Sequence, residues 1–199
     1  MTTGEEGASR QKAISHPDQR VGIFIDVGNL YHSAKNLYHG RVNYRALMQG
    51  LLGDRKLIRA MAYTVKSDTA IGETAFFDAL RDAGLELRMK ELQVYGDGLK
   101  KGDWDVGMAV DAIRMADFLD VVVLVTGDGD FLPLVDYLKW GRGRLVEVAA
   151  FDRSASGKLR EAADRFVSIE SIPRAVMKIR TPLRRGGADG KQAENGDTY

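Results

Sequence analysis

The stretch Val121-Val-Val-Leu-Val-Thr-Gly-Asp-Gly-Asp-Phe131 decides the fold. Its first five residues are apolar, four of them valine, and such a run reads as a strand buried on both faces. Thr126-Gly-Asp-Gly-Asp130 ends it abruptly, and Phe131-Leu-Pro-Leu-Val135 opens a helical pattern. The glycines allow a sharp turn, and Asp130 is placed to cap the helix. Pro133 falls in the first turn, where a missing N–H costs little. Two carboxylates therefore stand at the carboxyl end of a buried strand, where open α/β sheets hold ligands. Adjacent carboxylates repel unless a positive charge joins them, so a divalent cation is one reading of Asp128 and Asp130. A turn-and-cap role is the other.

The same arrangement occurs once earlier. Val21-Gly-Ile-Phe-Ile-Asp-Val27 is a hydrophobic strand with a charge at its end, followed by Gly28, Asn29 and a helix through Leu30, Ala34 and Leu37. A buried aspartate is costly unless it is paired, capping or bound to metal, so Asp26 is a ligand or a helix cap. Between the two strands, the spacing predicts a helix within Val42–Leu52 capped by Asn43, a strand over Lys56–Lys66, and a helix over Ala70–Ala83 closed by Gly84. Leu85–Tyr95 alternates like an edge strand, and an exposed edge permits a homodimer. A charged, glycine-rich loop, Gly96–Asp105, leads into a helix over Trp104–Asp117. A helical wheel gathers Val106, Met108, Ala109, Ala112, Ile113 and Ala116 into one apolar arc. Asp105 falls inside that arc at the positive end of the helix, whereas Asp111 and Arg114 fall on the opposite, solvated side. Simple complementation of the helix dipole, with Asp103 as cap, is the alternative role for Asp105. Beyond the central strand, a helix over Phe131–Trp140, a strand over Leu145–Phe151, a helix over Lys158–Asp164 and an apolar run Phe166–Ile172 complete the pattern.

Strands alternating with helices predict a three-layer α/β domain with a mainly parallel sheet. Right-handed crossovers then bring Asp26, Asp128 and Asp130 to one edge of that sheet, joined by Asp105. Four carboxylates without histidine or cysteine form a hard-ligand set that favours Mg²⁺ or Mn²⁺ over zinc. Such sites activate water and offset charge in phosphodiester cleavage. Lys100 and Lys101, close by in sequence, are placed to hold a phosphate or simply to solvate the surface.

Composition sets the outer limits. The chain has 199 residues, enough for one domain with a packed core, and its net charge of +1 excludes a generally basic nucleic-acid binder. With no cysteine a thiolate metal site is excluded, and with only His16, His32 and His39 a histidine-rich zinc site is not expected. No apolar run approaches a membrane span and Met1–Arg20 lacks the apolar core of a signal peptide, so a cytoplasmic location is expected. Residues 1–19 read as a flexible tail, 20–172 as the domain, and 173–199 as a second tail, basic and then glycine-rich. Arg174, Lys178, Arg180, Arg184 and Arg185 in that second tail form a solvated segment or a loose nucleic-acid tether.

Three segments carry a family resemblance: Phe24-Ile-Asp-Val-Gly-Asn-Leu30, Lys101-Gly-Asp-Trp-Asp-Val-Gly-Met-Ala-Val-Asp111 and Val125-Thr-Gly-Asp-Gly-Asp-Phe-Leu-Pro-Leu-Val135. A fainter match runs through Ser154, Leu159, Ala163-Asp164 and Phe166. In this order they resemble the NYN domains, in their LabA-like branch, within the PIN-like nuclease superfamily. The resemblance implies a PIN-like Rossmannoid fold and metal-dependent ribonuclease activity on RNA, with single-stranded RNA as the expected partner. It maps family acids onto Asp26, Asp105, Asp128 and Asp130, with Asn29 and Thr126 as auxiliary polar groups, and carries a further acid at Asp111. Lys-Gly-Asp-Trp-Asp has one residue more before the acid than the commoner Lys-Gly-x-Asp spacing; the wheel favours Asp105 over Asp103. The resemblance also admits a regulatory or RNA-binding module with weak or no nuclease activity. A small-molecule phosphatase fits less well, because no Walker-type phosphate loop is present.

Overall fold

In the computed structural model, which describes residues 15–66, 73–91, 93–94, 100–101 and 104–178, the valine-rich run is strand β7 of a central sheet. In chain order the elements are β1 (Arg20–Asp26), α1 (Val27–Tyr38), β2 (Gly40–Val42), α2 (Tyr44–Leu52), β3 (Lys56–Lys66) and α3 (Glu73–Asp82). Then come β4 (Glu86–Glu91), β5 (Gln93–Val94), β6 (Lys100–Lys101), α4 (Asp105–Met115), β7 (Val121–Val125) and α5 (Leu132–Asp136). The last are β8 (Leu145–Ala150), α6 (Gly157–Ala162), β9 (Arg165–Ser168) and β10 (Val176–Lys178).

Six strands form one parallel sheet in the order β4-β3-β1-β7-β8-β9. From β1 the chain winds outward through β3 to β4, and from β7 it winds the other way through β8 to β9. The order therefore reverses between β1 and β7, and the carboxyl ends of those two strands flank the switch point. Helices cover both faces. Ile23, Ile25, Leu30, Leu47 and Val123 form one core layer, and Phe24, Tyr63, Met108, Leu124 and Leu138 form the other. All five residues of β7 are fully buried, which is why the segment alternates with nothing polar. Each such side chain contributes about 1.5–3 kcal/mol by leaving water. A buried ion pair, Arg55 with Glu147, ties the end of α2 to β8 beneath the sheet.

Several expectations are corrected. The helix placed over Phe131–Trp140 is composite: a 3-10 turn Gly129–Phe131, then α5, then a π-turn Tyr137–Gly141. Its cap is Asp128, whose side chain accepts the Asp130 N–H, and not Asp130, because the chain tightens one turn earlier than the apolar pattern begins. On α4 the buried seam is Met108, Ala112 and Ala116, and the wheel's arc is displaced: Val106 is 75% exposed and Ile113 is exposed as well. The helix is rotated toward β3 and β4, which draws Asp111 to the seam's flank, half-buried beneath the Tyr63 hydroxyl. Finally, the fold runs past residue 172. Ala175 is buried, and β10 pairs antiparallel with β2, a strand not expected from the sequence. Of the expected N-terminal tail, residues 15–19 are described, with Asp18 paired to Lys56; residues 1–14 and 179–199 lie outside the described residues.

β4 (Glu86–Glu91) is outermost in the sheet, as the alternation of that stretch predicts, but the strand expected over Leu85–Tyr95 is not continuous: Gln93–Val94 leaves the central sheet to pair with β6, and residues 92 and 95 lie outside the described residues. Asn43 caps α2 by accepting the Ala46 N–H, and Gly84 takes the positive φ that its place after α3 requires.

Candidate active site

Parallel pairing places Ile25 opposite Val125, so Asp26 and Thr126 leave neighbouring strands at the same level. Asp26 has both roles considered for it within reach. Its Oδ1 accepts the Asn29 N–H at 3.0 Å, capping α1, while its Oδ2 accepts the Thr126 hydroxyl at 3.3 Å. Thr126 is fully buried, and its Oγ1 accepts the Asp128 N–H at 3.2 Å. Asn29 closes the circuit from the other side, its Oδ1 accepting the Gly127 N–H at 3.1 Å. Asp26, Asn29, Thr126 and Asp128 are thus held in one hydrogen-bonded ring across the switch point.

Gly127 is wedged into this ring. A Cβ there would lie 2.7 Å from the Ser154 carbonyl oxygen, and Gly127 O accepts the Ser156 N–H at 2.9 Å. The nearest atoms are backbone of Ser154 and Ala155, so no side chain can swing aside to make room. Gly127→Ala is expected to cost about 1–3 kcal/mol in thermal or denaturant unfolding, as overpacking does. A variant as stable as wild type would show that the 154–156 loop moves freely.

The electrostatics single out Asp26. Burial pushes its carboxyl above the usual carboxylate range, and the neighbouring Asp128 charge pushes the same way, against the bonds from Asn29 and Thr126. Among the described residues, no lysine or arginine pairs with Asp26, Asp128 or Asp130. A half-buried carboxylate beside a second one, with no cationic partner among the described residues, has the chemistry that suits a divalent cation, and Asp26 and Asp128 are the side chains that could hold one. Each carboxylate retains acceptor capacity beyond the bonds described. Mg²⁺ commonly takes one or two carboxylates and keeps water on its remaining positions.

The other predicted residues take varied places. Asp130 is exposed, two residues beyond the end of the Thr126–Asp128 loop, and Asp105 opens α4, which packs against β1 and the Gly129–Phe131 turn. Among the described residues, no three acidic or histidine side chains converge into a ready-made cation cage. Lys100 and Lys101 form β6, paired with β5, and their side chains lie outside the described residues, as does Asp103. Sequence reading did not single out Tyr63. Its hydroxyl donates to Asp111 at 3.0 Å, with Arg88 Nε 3.5 Å from the same carboxylate oxygen. Only strand register shows the connection: Asp26 lies opposite Tyr63, and Tyr63 opposite Arg88.

The sheet and its acidic switch point define a Rossmann-like α/β protein with a carboxylate centre. The chain belongs to the NYN domain family, whose model matches residues 20–170, and to its LabA-like branch. It is 26% identical over 174 residues to low amplitude and bright protein LabA of Synechococcus elongatus, covering 82% of this chain and 90% of that one. It also resembles the crystal structure of VPA0982 from Vibrio parahaemolyticus, a protein of unknown function, with 33% identity and a TM-score of 0.73. That match covers 79% of this chain and 97% of the other. The NYN family is nuclease-like in general character. Among the described residues, no helix is long and apolar enough to cross a membrane.

Proposed function

We propose that this protein is a metal-dependent ribonuclease that hydrolyses phosphodiester bonds of single-stranded RNA in the cytoplasm. The observation that carries the reading is Asp26: half-buried, its carboxyl raised by desolvation and by the neighbouring Asp128 charge, and without a cationic partner among the described residues. Asp26 and Asp128 would hold Mg²⁺ or Mn²⁺, which when bound would supply Lewis acidity and charge neutralisation for phosphodiester hydrolysis. Thr126 and Asn29 keep Asp26 and the 127–128 loop in fixed relation, so the ligands are oriented before substrate arrives. Asp130, exposed at the turn, accepts the proton lost by the attacking water as the P–O3′ bond breaks, and the departing 3′-oxygen takes up a proton from solvent water to leave as a hydroxyl. Asp105, opening α4 across the site, completes the acidic set through water, and Lys100 and Lys101 contact the substrate phosphates. A second reading, an RNA-binding module with little hydrolysis, is favoured by one observation: the four acids do not converge into a cage.

The test is incubation of the purified protein with labelled single-stranded RNA in Mn²⁺, Mg²⁺ or EDTA, beside Asp128→Asn. Cleavage that requires metal and disappears in the variant is the expected result. RNA binding without cleavage in either metal would select the second reading. Cleavage that persists in the variant would remove Asp128 from the site.

A further inference from the structure

An open groove runs between α4 and the edge strand β4, lined by Arg88, Trp104, Val106, Val110, Asp111 and Arg114. Its chemistry is unlike that of the acidic site beside it. Arg114 is exposed and makes no ion pair among the described residues. Arg88 turns its Nε toward Asp111, 3.5 Å away, which leaves the two Nη groups as its remaining donors. Asp111 is the acid of the groove, and it is occupied by Arg88 and by the Tyr63 hydroxyl.

The aromatic wall is rigid. Trp104 Nε1–H donates to the Thr64 carbonyl at 2.8 Å, and the indole packs edge-on to Tyr63. Gly107 lies beneath it, where a Cβ would come within 2.5 Å of the ring. Val106 and Val110, both exposed, extend the apolar floor although α4 buries its opposite side. Two guanidiniums, a fixed indole and an apolar floor are the complement of a nucleotide, which presents a phosphate, a sugar and a flat base.

Register joins this groove to the acidic centre. Asp26, Tyr63 and Arg88 lie side by side on β1, β3 and β4, all on the face that α4 covers. Arg88 is therefore two strand spacings, about 10 Å, from Asp26 along the row. A single strand whose scissile phosphate lies at Asp26 reaches the groove with its flanking nucleotides.

We propose that the α4–β4 groove is the track for single-stranded RNA flanking the scissile bond, with Arg88 and Arg114 on phosphates and Trp104 against a base. The inference rests on the ribonuclease reading for its substrate class. Its test reads binding, in EDTA, by fluorescence anisotropy with a short labelled single-stranded RNA over a range of salt. Arg88→Gln and Arg114→Gln are each expected to weaken binding about fivefold. The slope of log affinity against log salt should fall by about 0.7 for each arginine removed. Trp104→Leu should weaken binding with the salt slope unchanged.

The outcomes separate the two claims. Wild-type binding that is unchanged in affinity and salt slope by both arginine variants overturns the groove, and metal-dependent cleavage by the same preparation leaves the ribonuclease reading standing. Weakened binding in the variants of a protein that cleaves no RNA upholds the groove and removes the nuclease. Wild-type protein that binds no RNA overturns both. Circular dichroism and melting of each variant check that the fold is retained, as expected for the exposed Arg88 and Arg114; the half-buried Trp104 also packs on Tyr63, so the arginine variants decide the proposal if Trp104→Leu melts early.

Discussion

Asp26→Asn is expected to abolish RNA hydrolysis, by at least about 100-fold, while raising the melting temperature of the metal-free protein at neutral pH. The two effects have one cause. Burial, reinforced by Asp128, holds the Asp26 carboxyl above its ordinary range in the folded state. For a carboxyl raised on folding, stability is full below the unfolded value near 4 and is lost as pH rises through the folded value. At neutral pH Asp26 is therefore a destabilising charge. Asparagine removes the charge and still caps α1, since Asn and Asp serve about equally at that position. The gain in melting temperature should shrink toward pH 4. Mg²⁺ or Mn²⁺ should stabilise wild type by binding the folded state, and the variant much less. Thermal melts across pH, with and without metal, measure all of this. A variant that is less stable than wild type throughout would show that Asp26 is a structural cap alone.

Glu147→Gln is expected to cost about 3–5 kcal/mol of folding stability, because it breaks a buried ion pair by removing one partner. Glu147 and Arg55 are both buried and meet through two parallel bonds, 2.8 and 3.0 Å long. Arg55 is further fixed by donating to the carbonyls of Leu51 and Leu52 at 2.6 and 3.1 Å, while Arg165 approaches Glu147 at 3.6 Å. Glutamine preserves the shape and removes the charge, so the Arg55 guanidinium is left buried without its counter-ion. The ion pair need not be a net source of stability for this to hold, because its desolvation opposes its Coulomb attraction. Replacing both partners, as in Arg55→Met with Glu147→Leu, should therefore recover most of what the single change loses. Urea denaturation of the wild type, both singles and the double forms the cycle. A loss below about 1 kcal/mol in Glu147→Gln would show that the guanidinium finds water or another acceptor.

The amino-acid sequence determined the architecture because its signals are local. A five-residue apolar run closed by Thr-Gly-Asp-Gly-Asp is a buried strand and a turn wherever it occurs, and alternation with helical segments makes the sheet parallel. The same locality placed Asp26 and Asp128 at strand ends and Asn43 at a helix start. What local pattern does not contain is rotation and reach. The orientation of α4 depends on how Met108, Ala112 and Ala116 pack on a twisted sheet, so the wheel displaced its buried arc and put Asp111 in solvent. The π-turn at Tyr137–Gly141 is not announced by the apolar pattern, and the β2–β10 pair and the Arg55–Glu147 bridge join segments far apart in the chain. The ring of Asp26, Asn29, Thr126 and Asp128, and the row from Asp26 through Tyr63 to Arg88, belong to that second class. Periodicity names the residues that are buried; only close packing and strand register decide which of them meet.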